Sequence, residues 1–327
     1  MKKFADLFDQ FQKIKVGVVG DVMLDTYMWG HVERISPEAP VPVVLLDKRE
    51  LRLGGAGNVA LNIQSLGAPV FVVSATGADE NAERLASLFE QENINCKYLL
   101  KSARRITTNK TRIISRNQQM MRLDSEITTD LEEEESFIEL FQTFIATEKP
   151  QVVILQDYNK GVLTQAVIEA VIAICNEAGV LTAVDPKRKN FFTYKGVDIF
   201  KPNLKEVRDA LNLPFTETDQ STLQNIHREL NRRLQHHVSF ITLSERGVFY
   251  QNETAAALIP SHLRNIADVS GAGDTVIAVA ALVYATTKDV ALMAEMANIA
   301  GGLVCEEVGT AAIDKTKLLH ECELLLA

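Results

Sequence analysis

Three apolar runs in the middle of the chain each end in a charged cluster, and this repetition restricts the fold more than any other feature. Val152 to Leu155 runs into Gln156-Asp157-Tyr158-Asn159-Lys160-Gly161, Val180 to Val184 into Asp185-Pro186-Lys187-Arg188, and Asp198 to Phe200 into Lys201-Pro202-Asn203-Leu204-Lys205-Glu206. Between the first two lies Thr164 to Ala178, whose apolar residues recur at helical spacing. Short apolar runs without alternation fit strands buried on both faces, and strand–helix–strand order makes them parallel. One polar cluster alone would read as a solubilising loop. Three in register argue for functional loops along one edge of a parallel sheet, where open α/β sheets bind their ligands.

The rest of the chain continues the alternation. Val16 to Val19 reads as a buried strand ending at Gly20-Asp21, with Asp25 just beyond it. A strand over Val70 to Ser74 precedes a helix over Asn81 to Glu92, and Lys97 to Leu100 and Thr107 to Leu123 read as extended. An acidic helix is expected over Thr129 to Thr147, and further helices over Leu204 to Leu211, Ser221 to Gln235, Val276 to Tyr284 and Val290 to Cys305. Strands are expected over Ser239 to Leu243 and Val248 to Gln251, and a short amphipathic helix over Met1 to Lys15. Pro37, Pro40 and Pro42 forbid a helix between Trp29 and Arg52, so this apolar stretch is expected to form a flap that covers a site or pairs with a second subunit. The expected class is α/β, one large domain with the flap as an insertion.

Composition removes several functions. A net charge of −9 argues against a nucleic-acid-binding surface, which demands clustered Lys and Arg. Cys96, Cys175, Cys305 and Cys322 are far apart, which fits neither a zinc site nor a disulfide framework and suits a reducing cytosol. No signal peptide and no run of about 18 apolar residues is present, so a cytoplasmic protein without membrane attachment is expected. Lys110, Arg112, Arg116 and Arg122 recur at even spacing, which in one strand would put a basic cluster on one face. A solvated sheet face would look the same.

Two glycine turns sit at helix starts. Gly54-Gly55-Ala56-Gly57-Asn58 opens a helix over Val59 to Leu66, closed by Gly67. Asp268-Val269-Ser270-Gly271-Ala272-Gly273-Asp274 runs into an apolar helix, so its unpaired N–H groups and dipole favour an anion. An aspartate beside an anion site makes sense if it takes a proton from the nucleophile attacking a phosphoryl group. The same turn also reads as a glycine loop in which Asp274 is an ordinary first-turn residue. There is no G-x-x-x-x-G-K-[ST] P-loop, no complete G-x-G-x-x-G fingerprint and no serine on a nucleophile elbow.

Taken in order, Gly54 to Asn58, Asn203-Leu204-Lys205-Glu206 and Gly271 to Asp274 resemble the ribokinase-type (PfkB) carbohydrate kinases over nearly the whole chain. Within that family, Gly20-Asp21-Val22-Met23-Leu24-Asp25, Ser115-Arg116-Asn117-Gln118-Gln119, Arg122-Leu123-Asp124 and Asp157 to Gly161 are similar to the heptose 7-phosphate kinases of bacterial ADP-heptose synthesis. The resemblance implies a ribokinase-like fold over 1–327, with a β-lid from about 27–52 and 106–124. It implies transfer from ATP to the anomeric hydroxyl of D-glycero-D-manno-heptose 7-phosphate, giving the 1,7-bisphosphate for lipopolysaccharide heptose. Asp274 would be the base, with Gly271, Ala272 and Gly273 stabilising the transferring phosphoryl group. Asp25, Gly55, Asn58, Arg122, Asp157, Lys160 and Lys187 would bind the sugar phosphate, the cations meeting its 7-phosphate. Asn203, Glu206, Ser244 and Gly247 would serve the nucleotide, Glu206 also holding Mg²⁺ through water. Asp268, with the Glu306 to Gly309 loop, would hold a monovalent cation such as K⁺.

Two departures stand out: Ser270 where the family more often has Thr, and Lys187-Arg188 where Lys-Gly is expected. The chain ends at Ala327 without room for the adenylyltransferase that many bacteria fuse to this kinase. A stand-alone kinase is expected, with phosphatase and adenylyltransferase on other chains, and the apolar flap suggests a homodimer. The alternatives are a kinase of another sugar, sugar phosphate or nucleoside in the same family, or a non-catalytic sugar-phosphate-binding regulator.

Overall fold

A computed structural model of the chain describes residues 2–116, 118–213, 219–262 and 264–326. Asn117 of the Ser115 to Gln119 motif and the terminal Ala327 lie outside the described residues. In chain order the elements begin with α1 (Lys2–Gln10), β1 (Val16–Gly20), β2 (Val22–Ile35), β3 (Pro42–Gly55), α2 (Ala56–Ser65), β4 (Val70–Gly77), α3 (Glu80–Gln91) and β5 (Asn95–Ser102). Next come β6 (Asn109–Ser115), β7 (Gln118–Ser125), α4 (Glu134–Glu148), β8 (Val152–Gln156), α5 (Gln165–Glu177), β9 (Leu181–Asp185) and β10 (Ile199–Phe200). The remainder is α6 (Leu204–Leu211), α7 (Gln220–Leu234), β11 (Val238–Thr242), β12 (Val248–Gln251), β13 (Ala256–Ile259), α8 (Ala272–Thr287), α9 (Val290–Val304) and α10 (Lys315–Leu325).

Among the described residues the larger sheet has nine strands in the order β13-β12-β11-β10-β9-β8-β1-β4-β5. Its strands run parallel from β5 to β11, and β12 and β13 are antiparallel. From β1 the chain builds outward through β4 and β5 on one side, then returns to add β8 to β11 on the other. The strand order therefore reverses between β1 and β8, and the crevice beyond their carboxyl ends is where such sheets bind ligands. The period-2 alternation of strand side chains divides the core between two faces. Val16, Val18 and Ile154 pack with α2, α8 and α9, whereas Val19, Val153 and Leu155 pack with α4, α5 and α7. Helix α8 is apolar on all sides and buried from Asp274 to Val283, as a helix running through the core must be. No helix among the described residues is long and apolar enough to cross a membrane.

The second sheet, in the order β3-β2-β6-β7, is the small β lid of the ribokinase-like fold. Its strands reach beyond the flap boundaries expected from the sequence: β2 starts at Val22, straight after β1, and β3 runs to Gly55 at the foot of α2. Pro37 and Pro40 lie in the connection, and Pro42 opens β3, a position that needs no ladder N–H. One expectation is corrected here. Thr107 to Leu123 is not one strand but the antiparallel hairpin β6–β7, which turns at Arg116 with φ of 49°. Lys110 and Arg112 lie on β6, and Arg122 lies across from Arg112 on β7. The expected helix from Thr129 starts at Glu134, and α8 starts at Ala272, so Asp274 stands inside its first turn.

Candidate active site

Asp274 is 3% exposed, and side chains from two other elements hold it. Its Oδ2 accepts from the Asn58 amide of α2 at 2.8 Å. Its Oδ1 accepts from the Gln156 amide at 3.0 Å and the Tyr158 hydroxyl at 2.7 Å, both at the end of β8. No side chain caps α8, whose N-cap is Gly271 at φ of 82°. An ordinary first-turn carboxylate would bond its own helix end; Asp274 is instead held from outside it. Burial raises its pKa to about 6, with Asp185 adding to the rise and Asn58, Tyr158 and Lys187 opposing it. A carboxylate in that range can exchange a proton near neutral pH. Beside it, the Gly271–Gly273 turn starts a buried helix, the geometry that favours an anion.

Asp21 builds the platform under this carboxylate. It is buried, and its two oxygens accept the backbone N–H groups of Tyr158 (2.8 Å), Lys160 (2.9 Å) and Val162 (3.1 Å). Asp157 accepts from the Asn159 N–H at 2.7 Å and the Tyr194 hydroxyl at 2.8 Å. Both its oxygens are thus engaged by the loop and the core. Burial and the nearby Asp21 raise its pKa to about 6.

A chain of alternating charges runs from this centre towards α6. Asp185 is paired with Lys201 at 2.9 Å and Lys187 at 3.1 Å, and Lys187 reaches Glu206 at 2.7 Å. Burial disfavours the Asp185 charge, yet the two lysines outweigh it and hold the pKa below the usual range. Asn203 and Glu206 form a reciprocal capping box at the start of α6, each at 2.8 Å. Ser244, at φ of 59°, and Gly247, at φ of 92°, bound the turn between β11 and β12. A Cβ on Gly247 would lie 2.0 Å from the Ile259 carbonyl oxygen, so only glycine fits there.

The lid closes the other side. Asp25 is buried and accepts from Arg112 at 2.5 Å, and a Cβ on Gly54 would lie 2.4 Å from Asp25 Oδ2. A Cβ on Gly55, at φ of 59°, would lie 2.4 Å from the Asp21 carbonyl oxygen. Lys110 lies over the Tyr158 ring with Nζ 5.4 Å from its centroid, and Lys187 Nζ lies 5.6 Å from the same centroid. Arg52 donates to the carbonyls of Val308 and Thr310, both at 2.9 Å, and so ties β3 to the loop beside the glycine turn. Asp268 accepts from the N–H groups of Ser270 and Gly309, each at 2.9 Å; burial opposes its charge, but these bonds leave its pKa lowered.

Residues 13–317 match the family model for pfkB family carbohydrate kinases. The chain belongs to that family. A pfkB kinase is a carbohydrate kinase, with ATP and a sugar as its expected substrates. Its curated relatives include the bifunctional protein HldE of Geotalea uraniireducens, 37% identical over 323 residues, covering 98% of this chain and 65% of that protein. HldE of Citrifermentans bemidjiense is 38% identical over 325 residues, covering 98% of this chain and 66% of its own. The chain thus spans a little under two thirds of the length of these relatives. Phosphofructokinase-2 from Escherichia coli, solved with substrates and products, superposes with a TM-score of 0.78 at 17% identity, covering 95% of this chain and 100% of its own. Ribokinase from Arabidopsis thaliana, complexed with ribose and ATP, gives a TM-score of 0.71 at 17% identity, covering 94% and 98%. These structures share the ribokinase-like fold.

In this pfkB kinase, Asn58 and Asp274 at the Gly271–Gly273 turn are joined to the Asp185, Lys187 and Glu206 chain through the Gln156 amide, which lies 3.0 Å from Asp274 Oδ1 and 3.4 Å from Asp185 Oδ2. The cations read from sequence as phosphate grips behave differently. Arg122 is half-exposed and bonded to Asp124 on its own strand, Lys160 pairs with Glu126 at 2.8 Å, and Lys187 is shared between two carboxylates. Lys110 is the contrast. It is partly buried beside Tyr158, and among the described residues no carboxylate forms an ion pair with it. Burial and the Lys160 charge lower its pKa. Sequence reasoning did not single out Gln156, Tyr158, Lys201 or Arg52. The first three stood in the strand-end clusters, so their region was visible but their partners were not.

Proposed function

We propose that this chain catalyses ATP-dependent phosphorylation of D-glycero-D-manno-heptose 7-phosphate at O1, giving the 1,7-bisphosphate. The observation that carries the reading is Asp274: a buried carboxylate beside an uncapped glycine turn, held by three side-chain donors and raised to about 6. The motif resemblance to heptose 7-phosphate kinases, and similarity to HldE proteins along nearly the whole chain, support the choice of sugar.

Asp274 takes the proton of the anomeric hydroxyl as that oxygen attacks the terminal phosphorus of ATP. The bond to the ADP oxygen breaks, and the backbone N–H groups of Gly271, Ala272 and Gly273 receive the charge developing on the phosphoryl group. Asp25, Gly55 and Asn58 shape the sugar end of the cleft. Asn203, Glu206, Ser244 and Gly247 serve the nucleotide. Magnesium arriving on nucleotide phosphates keeps most of its waters and needs only one or two protein carboxylates. Glu206, joined to Asp185 through Lys187, fits that need, and the ion would neutralise phosphate charge. A monovalent cation would sit at Asp268 and the neighbouring loop, and no step depends on it. For the 7-phosphate, Lys110 is a better candidate than Arg122, because Arg122 is bonded to Asp124, whereas Asp25, Glu126 and Asp124 act on Lys110 only from beyond ion-pair distance.

We place the reaction in the cytoplasm, in one kinase unit spanning 1–327. Phosphatase and adenylyltransferase steps would follow on other polypeptides or segments. A homodimer is proposed through the lid, where Leu45, Leu46, Met121 and Leu123 are exposed. Sedimentation giving only monomer at micromolar concentration would defeat it.

The deciding experiment is coupled ADP release with ATP and Mg²⁺, comparing heptose 7-phosphate with ribose, fructose 6-phosphate and adenosine. Turnover selective for heptose 7-phosphate supports the full reading. Preference for another acceptor keeps the mechanism and removes the sugar. Sugar-phosphate binding without turnover on any acceptor removes the enzyme reading in favour of a regulator.

A further inference from the structure

We infer that Tyr158 is a positioning residue for the transfer step: with Gln156 it fixes one oxygen of Asp274, leaving the other to meet the acceptor hydroxyl. This rests on the reading of Asp274 as the base.

The geometry is asymmetric. Oδ1 of Asp274 takes two donors, Tyr158 Oη at 2.7 Å and Gln156 Nε2 at 3.0 Å, whereas Oδ2 takes only the Asn58 amide at 2.8 Å. A carboxylate oxygen accepts about two hydrogen bonds, so Oδ1 is filled and Oδ2 keeps a lone pair. The donors hold different oxygens from different elements, α2 for Oδ2 and the end of β8 for Oδ1, which restrains the carboxylate from turning.

The tyrosine stands on a rigid base. Asp21 grips the N–H groups at 158, 160 and 162, and Asp157 is spent on Asn159 and Tyr194. Gly161, at φ of 89°, lets the loop pass where a Cβ would lie 1.9 Å from the Thr129 carbonyl oxygen. With this backbone set by a buried carboxylate some 140 residues earlier in the chain, the phenol is delivered to one place. A tyrosine needed only for packing would not require its hydroxyl to end on the base.

The hydroxyl also acts on the proton affinity of Asp274. A donor to the ionised form favours that form, so Tyr158 opposes the rise caused by burial and by Asp185. The other charged groups facing this centre are Lys187 and Lys201 from the ends of β9 and β10, and Asp25 and Lys110 from the lid. None of them is altered by removing the phenolic oxygen. Loss of that oxygen therefore leaves Asp274 more readily protonated and less well aligned.

The test is the pH profile of kcat and kcat/KM for Tyr158→Phe with a single acceptor. The acceptor phosphate itself ionises near 6, so what is read is the shift between wild type and variant. The acid limb should move upward by about one pH unit, with kcat reduced at neutral pH and recovering only in part in alkaline buffer, where the carboxylate is ionised but still less well aligned. Tyr158→Leu, which removes the ring as well, should share the shifted limb. A folded variant of either kind that loses kcat equally at every pH, or loses none, overturns the inference. Asp274→Asn is run in parallel. If it keeps turnover, the base assignment has failed; if it is inactive while the Tyr158 limb stays put, only the role of Tyr158 has failed.

Discussion

The Asn58 amide reaches Asp274 Oδ2 across 2.8 Å, joining the first turn of α2 to the first turn of α8, which lie 216 residues apart in sequence. Both residues are buried, and Asn62 in turn donates to the Asn58 carbonyl oxygen at 2.8 Å. The two glycine turns seen in the sequence are therefore one structural unit.

Removing the proposed base should separate chemistry from folding. Asp274→Asn keeps the shape, and the amide can still accept through its oxygen from one side. Turnover should fall about 10²–10⁴-fold, with the melting temperature and ATP binding little changed. Steady-state kinetics beside isothermal titration with ATP would check this. Near-normal turnover would remove Asp274 from the role of base.

Gly271→Ala should strain the joint between the turns. The residue has φ of 82°, and an added Cβ would lie 2.7 Å from Asn58 Nδ2. The left-handed conformation costs a non-glycine residue about 1–2 kcal/mol, and the collision pushes away the amide that holds Asp274. Urea denaturation should read a loss of that size, together with a drop in kcat larger than any change in KM for ATP. A variant with wild-type kcat would show that the Asn58 contact is dispensable.

The two basic strands of the lid should differ in their effect. Lys110→Met should raise KM for a phosphorylated acceptor by about 10-fold or more, the range of one charge-assisted bond, and leave KM for ATP nearly unchanged. Arg122→Ala, which loses a half-exposed pair with Asp124, should change either constant less than threefold, as surface pairs contribute about 0–1 kcal/mol. The reverse ranking would return the phosphate to Arg122.

Acid should destabilise the fold through a buried histidine pair remote from the site. His227 and His236 both contact the Ser239 hydroxyl, at 2.8 and 2.6 Å. Burial, with the neighbouring histidines, lowers the His236 pKa to about 3, and burial lowers that of His227. Below the unfolded value near 6.5 the unfolded chain binds protons that the folded one refuses. Stability contributed by His236 is then lost as pH falls, by about 1.4 kcal/mol per unit at most. Asp157 and Asp274, raised to about 6, act in the opposite direction in the same window. The difference between wild type and His236→Gln is therefore the quantity to measure, by urea denaturation at pH 7 and 5.5. The variant should lose less stability on acidification, and equal losses would remove His236 as a source.

Much of this molecule was legible in its residues, because the signals are local. The apolar runs at Val16, Val152 and Val180 marked parallel strands, their polar ends marked the loops along one sheet edge, and the turn from Asp268 to Asp274 marked the start of a buried helix. Ionic partnership was not legible. Lys160 meets Glu126 across 34 positions, Lys187 meets Glu206 across 19, and Tyr158 meets Asp274 across 116. No spacing rule links such residues, and Arg116, read as one of a row along a strand, falls in a hairpin turn. By itself the sequence determined the alternating architecture, the family and the edge of the sheet that carries the polar loops, since hydrophobic periodicity and turn chemistry act over a few residues. Only the tertiary structure decided which carboxylate is gripped and which cations are spent on neighbours, because charge pairing depends on distance in space and on exclusion of water.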